Sequence, residues 1–178
     1  MKFYILIAAL FVAIAGLISY CYDHFSVRRV ARRERKKLLA ELAALPPVAA
    51  DFSTPEGAVL CLEETYRRRD IEAAVACRDF VTEARVWLQE RGHLNQQTRE
   101  EMLGPTIKAM EKSFRDALAK GPTVDWAAAK SYFTKRAPYG ENLVIVSKVT
   151  QEADGSLFSQ RILLTETADG WRIVKLLS

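Results

Sequence analysis

The sequence predicts an α+β domain, helices first and an antiparallel sheet last, carried behind one apolar N-terminal helix. Three observations predict it. Phe3 to Tyr22 is 20 residues without a charge. From Ser53 to Gly121 the apolar residues recur at helical spacing. From about Ala129 onward the period shortens, and runs rich in Val, Ile, Leu and Thr alternate with turn residues.

The apolar run, FYILIAALFVAIAGLISYCY, would span ~30 Å as a helix at ~1.5 Å per residue, the thickness of a bilayer's hydrocarbon core. Tyr4 at one end and Tyr20 and Tyr22 at the other suit the membrane interfaces. A cleaved signal is the competing reading. Ala13-Ile14-Ala15 has the small-x-small form, but cutting there leaves a very short apolar region behind Lys2 alone. A retained anchor is the expectation. Arg28, Arg29, Arg32, Arg33, Arg35, Lys36 and Lys37 follow the run and should hold that flank in the cytoplasm. The chain therefore divides into an anchor over 1–25, a basic juxtamembrane helix and linker over 26–52, and a domain over 53–178. It is expected in the inner (cytoplasmic) membrane, single-pass, with the domain on the cytoplasmic side.

Leu38, Leu39, Leu42 and Leu45 continue a helical pattern to the stop at Pro46-Pro47, and VAAD reads as a short linker. Ser53-Thr54-Pro55-Glu56 opens the next helix, either through a Ser53–Glu56 capping box or with Thr54 as cap before Pro55. Val59, Leu62 and Tyr66 mark its apolar face, and Arg67-Arg68-Arg69 suits the negative end of its dipole. Asp70 caps a short helix to about Cys77. A third helix from Phe80 buries Ala84, Trp87 and Leu88, and Gly92 and the polar HLNQQT stretch interrupt it. Pro105 is the expected start of the next helix, whose stripe Leu103, Ile107, Met110, Phe114 and Leu118 reads as core. Gly121-Pro122 ends it. Ser131–Ala137, Leu143–Thr150, Leu157–Thr165 and Trp171–Leu177 read as strands, with Asp154-Gly155 and Asp169-Gly170 placed for tight hairpin turns.

Charge excludes one function class. The 178 residues carry a net +4. Residues 1–37 hold eight Lys/Arg against two acids, a net of +6, which leaves 18 Lys/Arg and 20 acids, a net of −2, for residues 38–178. The positive excess belongs to the anchor's flank, and a nucleic-acid partner is not expected of a slightly acidic domain. No spacing among Cys21, Cys61, Cys77, His24 and His93 suits a metal, and no metal or other cofactor is expected. The cysteines read as small buried residues; a Cys61–Cys77 bridge would need an oxidising compartment.

Two stretches carry a family resemblance. Residues 53–88, STPEGAVLCLEETYRRRDIEAAVACRDFVTEARVWL, and the closing DGWRIVKLL, residues 169–177, resemble the nuclear-transport-factor-2-like superfamily, whose members wrap a curved antiparallel sheet around helices as a cone. The Pro-Glu-x-Ala-Val opening, Tyr66-Arg67-Arg68 and the run from Asp70 to Phe80 are similar to the bacterial immunity proteins of that fold, which neutralise polymorphic toxins by binding them. The resemblance implies a membrane-tethered, non-catalytic immunity protein whose partner is a cognate toxin. It places the candidate contacts at Arg68, Asp70, Asp79, Glu83, Arg85 and Trp87, or at the open end of the cone beside Tyr132 and Phe158. No catalytic residue is assigned: Asp70 and Asp79 could serve as bases in an isomerase-like pocket, but both read better as helix caps. Two alternatives stand: a bitopic subunit of a secretion or assembly complex, which would carry its charges before the membrane helix, or a small-molecule-binding protein of this fold. A homo-oligomer stays open.

Overall fold

The computed structural model describes residues 33–92, 94–121 and 124–177, and the expected anchor at Phe3–Tyr22 lies outside them. Among the described residues no helix is long and apolar enough to cross a membrane. Two compact units divide at Leu45 and Pro46. In the first, helix α1 covers described residues 33–43, with an exposed Lys37–Glu41 ion pair one turn apart at 4.0 Å.

The second unit, from Pro46 onward, is α+β. It holds α2 (Pro55–Arg68), α3 (Ile71–Ala76), α4 (Phe80–Glu90) and α5 (Gln96–Ala119), then β1 (Lys130–Gly140), β2 (Leu143–Gln151), β3 (Leu157–Thr167) and β4 (Gly170–Leu177). The strands form one antiparallel meander in the order β1-β2-β3-β4. Each of these four helices starts on a side-chain cap that occupies one of the free N–H groups of the first turn. Thr54 accepts from Gly57, Asp70 from Ala73, Asp79 from Thr82 and Asn95 from Thr98. At the first of these, Thr54 is the cap and Pro55 the opening residue, while Ser53 donates to Asp51 instead.

Several expectations need correction. Pro105 does not open a helix; it lies inside α5, which begins nine residues earlier at Gln96. Asn95, inside the HLNQQT stretch expected as a loop, supplies the cap of α5. Gln96 and Gln97 then donate to Glu100 and Glu101 one turn on, holding the first turns ahead of the proline. The α5 stripe is not core either: no residue of α5 is fully buried, and Leu103, Ile107, Met110, Phe114 and Leu118 are half-covered. On α4 the buried residues are Phe80, Ala84, Val86 and Leu88, and Trp87 is half-buried. The β2–β3 connection at Asp154-Gly155 is a five-residue loop, 152–156, closed by Glu152 N–H donating to Ser156 at 2.9 Å. Asp169-Gly170 does make the expected tight turn, with Thr167 opposite Gly170 in register and Gly170 at φ +98°.

The sheet is apolar on both faces. On one, Ala58 and Val59 of α2 pack on Val146, Ile162, Leu164, Trp171 and Ile173. On the other, Val86 of α4 joins Leu163 and Val174, flanked by Leu143, Ile145 and Leu177. Helix packing is thus not confined to one side of the strands. The outer edge of β4 is closed by the α3–α4 connection: Arg78 bridges Ile173 in parallel, Ile173 N–H donates to Cys77 at 3.0 Å, and Asp79 N–H donates to Ile173 at 2.9 Å. Arg78 continues inward, donating to Glu83 at 2.7 Å and to the Val174 carbonyl at 2.8 Å, with its guanidinium over the rings of Phe80 and Phe114. At the other edge β1 carries Lys135, Arg136 and Pro138 between two register shifts, features that discourage a further strand from pairing.

The segment 49–52 is packed rather than slack. Trp171 N–H donates to Phe52 at 2.8 Å. A Cβ on Gly57 would stand 2.5 Å from the Asp51 carbonyl oxygen, and one on Gly170 would stand 2.4 Å from that of Phe52. Gly170→Ala combines this clash with backbone with a positive φ, and should destabilise the domain by about 2–4 kcal/mol in urea unfolding of the full chain in detergent. An unchanged midpoint would show that segment 49–52 yields freely.

Candidate functional site

Glu63 and Glu64 are adjacent on α2, so the helical turn sends them to different faces. Glu64 reaches solvent and pairs with Arg67 at 3.1 Å and Arg68 at 3.7 Å. Glu63, one turn beyond the buried Val59, faces the sheet. There Lys148 follows Val146 by two residues and so shares its face of β2. Lys148 Nζ donates to Glu63 Oε1 at 2.7 Å, with side-chain exposures of only 3% and 2%. Ser131 Oγ, on β1, donates to the same carboxylate oxygen at 2.7 Å.

Burying two charges costs several kcal/mol each, and close pairing with further hydrogen bonds offsets it. Ser131 supplies one such bond. Arg67 Nη2 stands 3.9 Å from Glu63 Oε2, close enough for attraction but too far for a hydrogen bond. Glu63 Oε2 and Thr150 Oγ1 are buried without a hydrogen-bond partner. The acid–base groups are sealed from solvent, so the cluster acts as a fixed internal charge pair with unused hydrogen-bonding capacity.

Trp126 lies over this pair, its ring 5.1 Å from Lys148 Nζ, a favourable distance for a cation over an aromatic face. The same ring meets Tyr66 at 5.5 Å, and its carbonyl accepts from Arg67 Nε at 2.8 Å. Burial pushes the Tyr66 phenol up to about 12. Outside Trp126 opens a cleft of about 740 Å³ between the end of α2, α3 and the residues after α5. Tyr66, Ile71, Ala74, Leu118 and Trp126 line it together with the charged Arg67, Arg69, Asp70, Lys120 and Asp125. That volume falls in the range of ligand sites.

The six residues singled out from the sequence do not converge. Arg68 is exposed and paired with Glu64. Asp70 caps α3 and lines the cleft. Asp79 caps α4, accepting from Thr82 N–H and Oγ1. Glu83 is held by Arg78, and burial raises its carboxyl above the usual range despite that cation. Arg85 is exposed on α4 and lines a separate groove with Arg99 and Glu100 of α5. Trp87 is half-buried beneath the Arg91 guanidinium, 3.8 Å away. Tyr132 and Phe158 do not share an opening. Thr150 lies opposite both Ser131 and Phe158, so Phe158 shares the Glu63 face and Tyr132 points to the other. Cys61 and Cys77 are free thiols, and burial pushes Cys77 up to about 11. Among the described residues no three His, Cys, Asp or Glu side chains group as a metal site.

Sequence reasoning missed Glu63, Lys148 and Trp126. The available signal was the spacing of Glu63 from Val59 and of Lys148 from Val146, which puts each on an apolar face. Removing one partner strands the other charge: Lys148→Met alone should cost about 3–5 kcal/mol, whereas Glu63→Leu with Lys148→Met should fall within about 1 kcal/mol of wild type. Urea unfolding of the four proteins gives the coupling, and additive losses would contradict a pair. No family model, curated protein or solved structure matches this chain.

Proposed function

We propose that this chain is a membrane-tethered immunity protein: a non-catalytic domain of the nuclear-transport-factor-2-like kind that binds and neutralises a cognate toxin. The supporting observation is the build of residues 53–88. The stretch that resembles immunity proteins forms α2, α3 and α4 with their capping residues in place, and turns Arg68, Asp70 and Arg85 to solvent. Its framework side chains face inward as Ala58, Val59, Ala74, Phe80, Ala84 and Leu88. A helical layer so arranged offers a charged outer surface on a fixed scaffold, which is what inhibition by binding requires. The tether would raise the inhibitor's local concentration against a toxin that arrives through, or acts at, the membrane.

Co-expression with the C-terminal domain of a toxin encoded beside this gene tests the proposal. Cells should survive with the chain and die without it, and the two proteins should co-purify from detergent. Equal killing with no isolable complex would overturn the reading. Orientation has its own test. A fluorescent reporter that matures only in the cytoplasm, fused after Ser178, should be bright, and a phosphatase that works only outside should be inactive. The reverse pattern would favour the secretion-subunit alternative.

A further inference from the structure

Arg69 stands where a glycine is usual. It follows α2 at φ 56° and ψ 34°, the left-handed region that a side chain disfavours. Arg69 N–H donates to Tyr66 at 3.2 Å and Asp70 N–H to Thr65 at 2.9 Å, the paired bonds of a helix ending at which glycine predominates. Keeping an arginine in that conformation suggests that its side chain has a task.

The surroundings indicate which. Arg69 lines the cleft outside Trp126, and so does Lys120 at the end of α5. The other charged groups of the cleft hold hydrogen-bond partners, and Asp70 and Asp125 keep their negative charge. Arg67 donates to Glu64 and to the Trp126 carbonyl. Asp70 accepts from Ala73 at 2.9 Å and Asp125 from Ala127 at 3.2 Å. Among the described residues Arg69 and Lys120 have no side-chain hydrogen bond or ion pair and are exposed. Two uncommitted cations therefore line the same cleft as Ile71, Ala74, Leu118 and Trp126.

We infer that this cleft is the docking slot for an acidic segment of a partner protein. One apolar or aromatic side chain of the segment would enter against Trp126 and Ile71, and carboxylates on either side would meet Arg69 and Lys120. The volume suits a few side chains rather than a whole domain face, and an arginine fork suits a carboxylate. This deepens the immunity reading and rests on it only for the identity of the partner.

The test uses the full chain in nanodiscs of zwitterionic lipid. Phage-displayed random heptapeptides are panned on wild type, with counter-selection on an Arg69→Gly, Lys120→Gln chain so that binders of the basic juxtamembrane stretch are removed. The expected survivors carry Asp or Glu within two residues of Trp, Phe or Leu. A synthetic survivor should bind about tenfold or more weakly to Arg69→Gly and to Lys120→Gln, and normally to Lys108→Gln. Arg69→Gly should melt at or above the wild-type temperature, so that lost binding is not lost folding. An empty selection, survivors without acids, or binding indifferent to both substitutions would overturn the inference. So would an Arg69→Gly chain that melts lower yet binds normally, for then Arg69 serves only the helix end. The toxin domain separates the two proposals. If it binds wild type and both variants alike, the slot fails and the immunity reading stands. If peptides select the slot while no toxin binds, the immunity reading fails and the slot stands.

Discussion

The buried Glu63–Lys148 pair is the constraint around which the domain is arranged. It joins α2 to the second strand of the sheet at a point where neither side chain reaches water. A charge so placed restricts what its neighbours can be. Ser131 must present its hydroxyl to the carboxylate, and β1 must hold a register that sets Ser131 opposite Thr150. Trp126 must cover the ammonium. The apolar contacts of Val59, Val146 and Ile162 supply most of the favourable energy on this face, but they would tolerate some sliding. The ion pair would not, because a small displacement leaves a charge unpaired in a medium of low dielectric constant.

The same constraint reaches the surface through one short path. Arg67 is drawn toward Glu63 on the inside and donates to the Trp126 carbonyl on the outside. Trp126 in turn forms one wall of the cleft. The interior charge pair thus fixes the shape of the surface feature best suited to a partner, and Arg69 and Lys120 add the free charge in its lining. A docking surface held by buried polar contacts is preorganised, and less of its binding energy goes into ordering it.

Much of this architecture was legible in the sequence, and the failures have physical causes. Asp70, Asp79 and Thr54 were readable as caps because capping is a local event, decided within three residues. Strands β2 to β4 were readable from β-branched runs and turn residues. Pro105 misled because proline is commonest at a helix's first turn, while the true start was marked by Asn95, a weaker signal three residues before Thr98. Glu63 and Lys148 were missed for a different reason, although their spacing from Val59 and Val146 pointed to an apolar face. Charged residues beside polar neighbours, Glu63 next to Glu64 and Lys148 next to Ser147, read as solvated surface unless the opposite element is known. Their burial is a tertiary fact. Tyr132 and Phe158 show the same limit: each suits a sheet, but the face it takes depends on register, and a shift of one residue reverses it.

The claim that the buried pair governs the cleft can be measured at Trp126 itself. Incorporation of 5-fluorotryptophan gives one ¹⁹F resonance for each of Trp87, Trp126 and Trp171, assigned by single Trp→Phe changes in the full chain in nanodiscs. In Glu63→Gln, which keeps the side-chain shape and removes the charge, the Trp126 resonance should shift or broaden while that of Trp87 stays in place. A Trp126 resonance that does not move would show that the cleft is built independently of the ion pair beneath it.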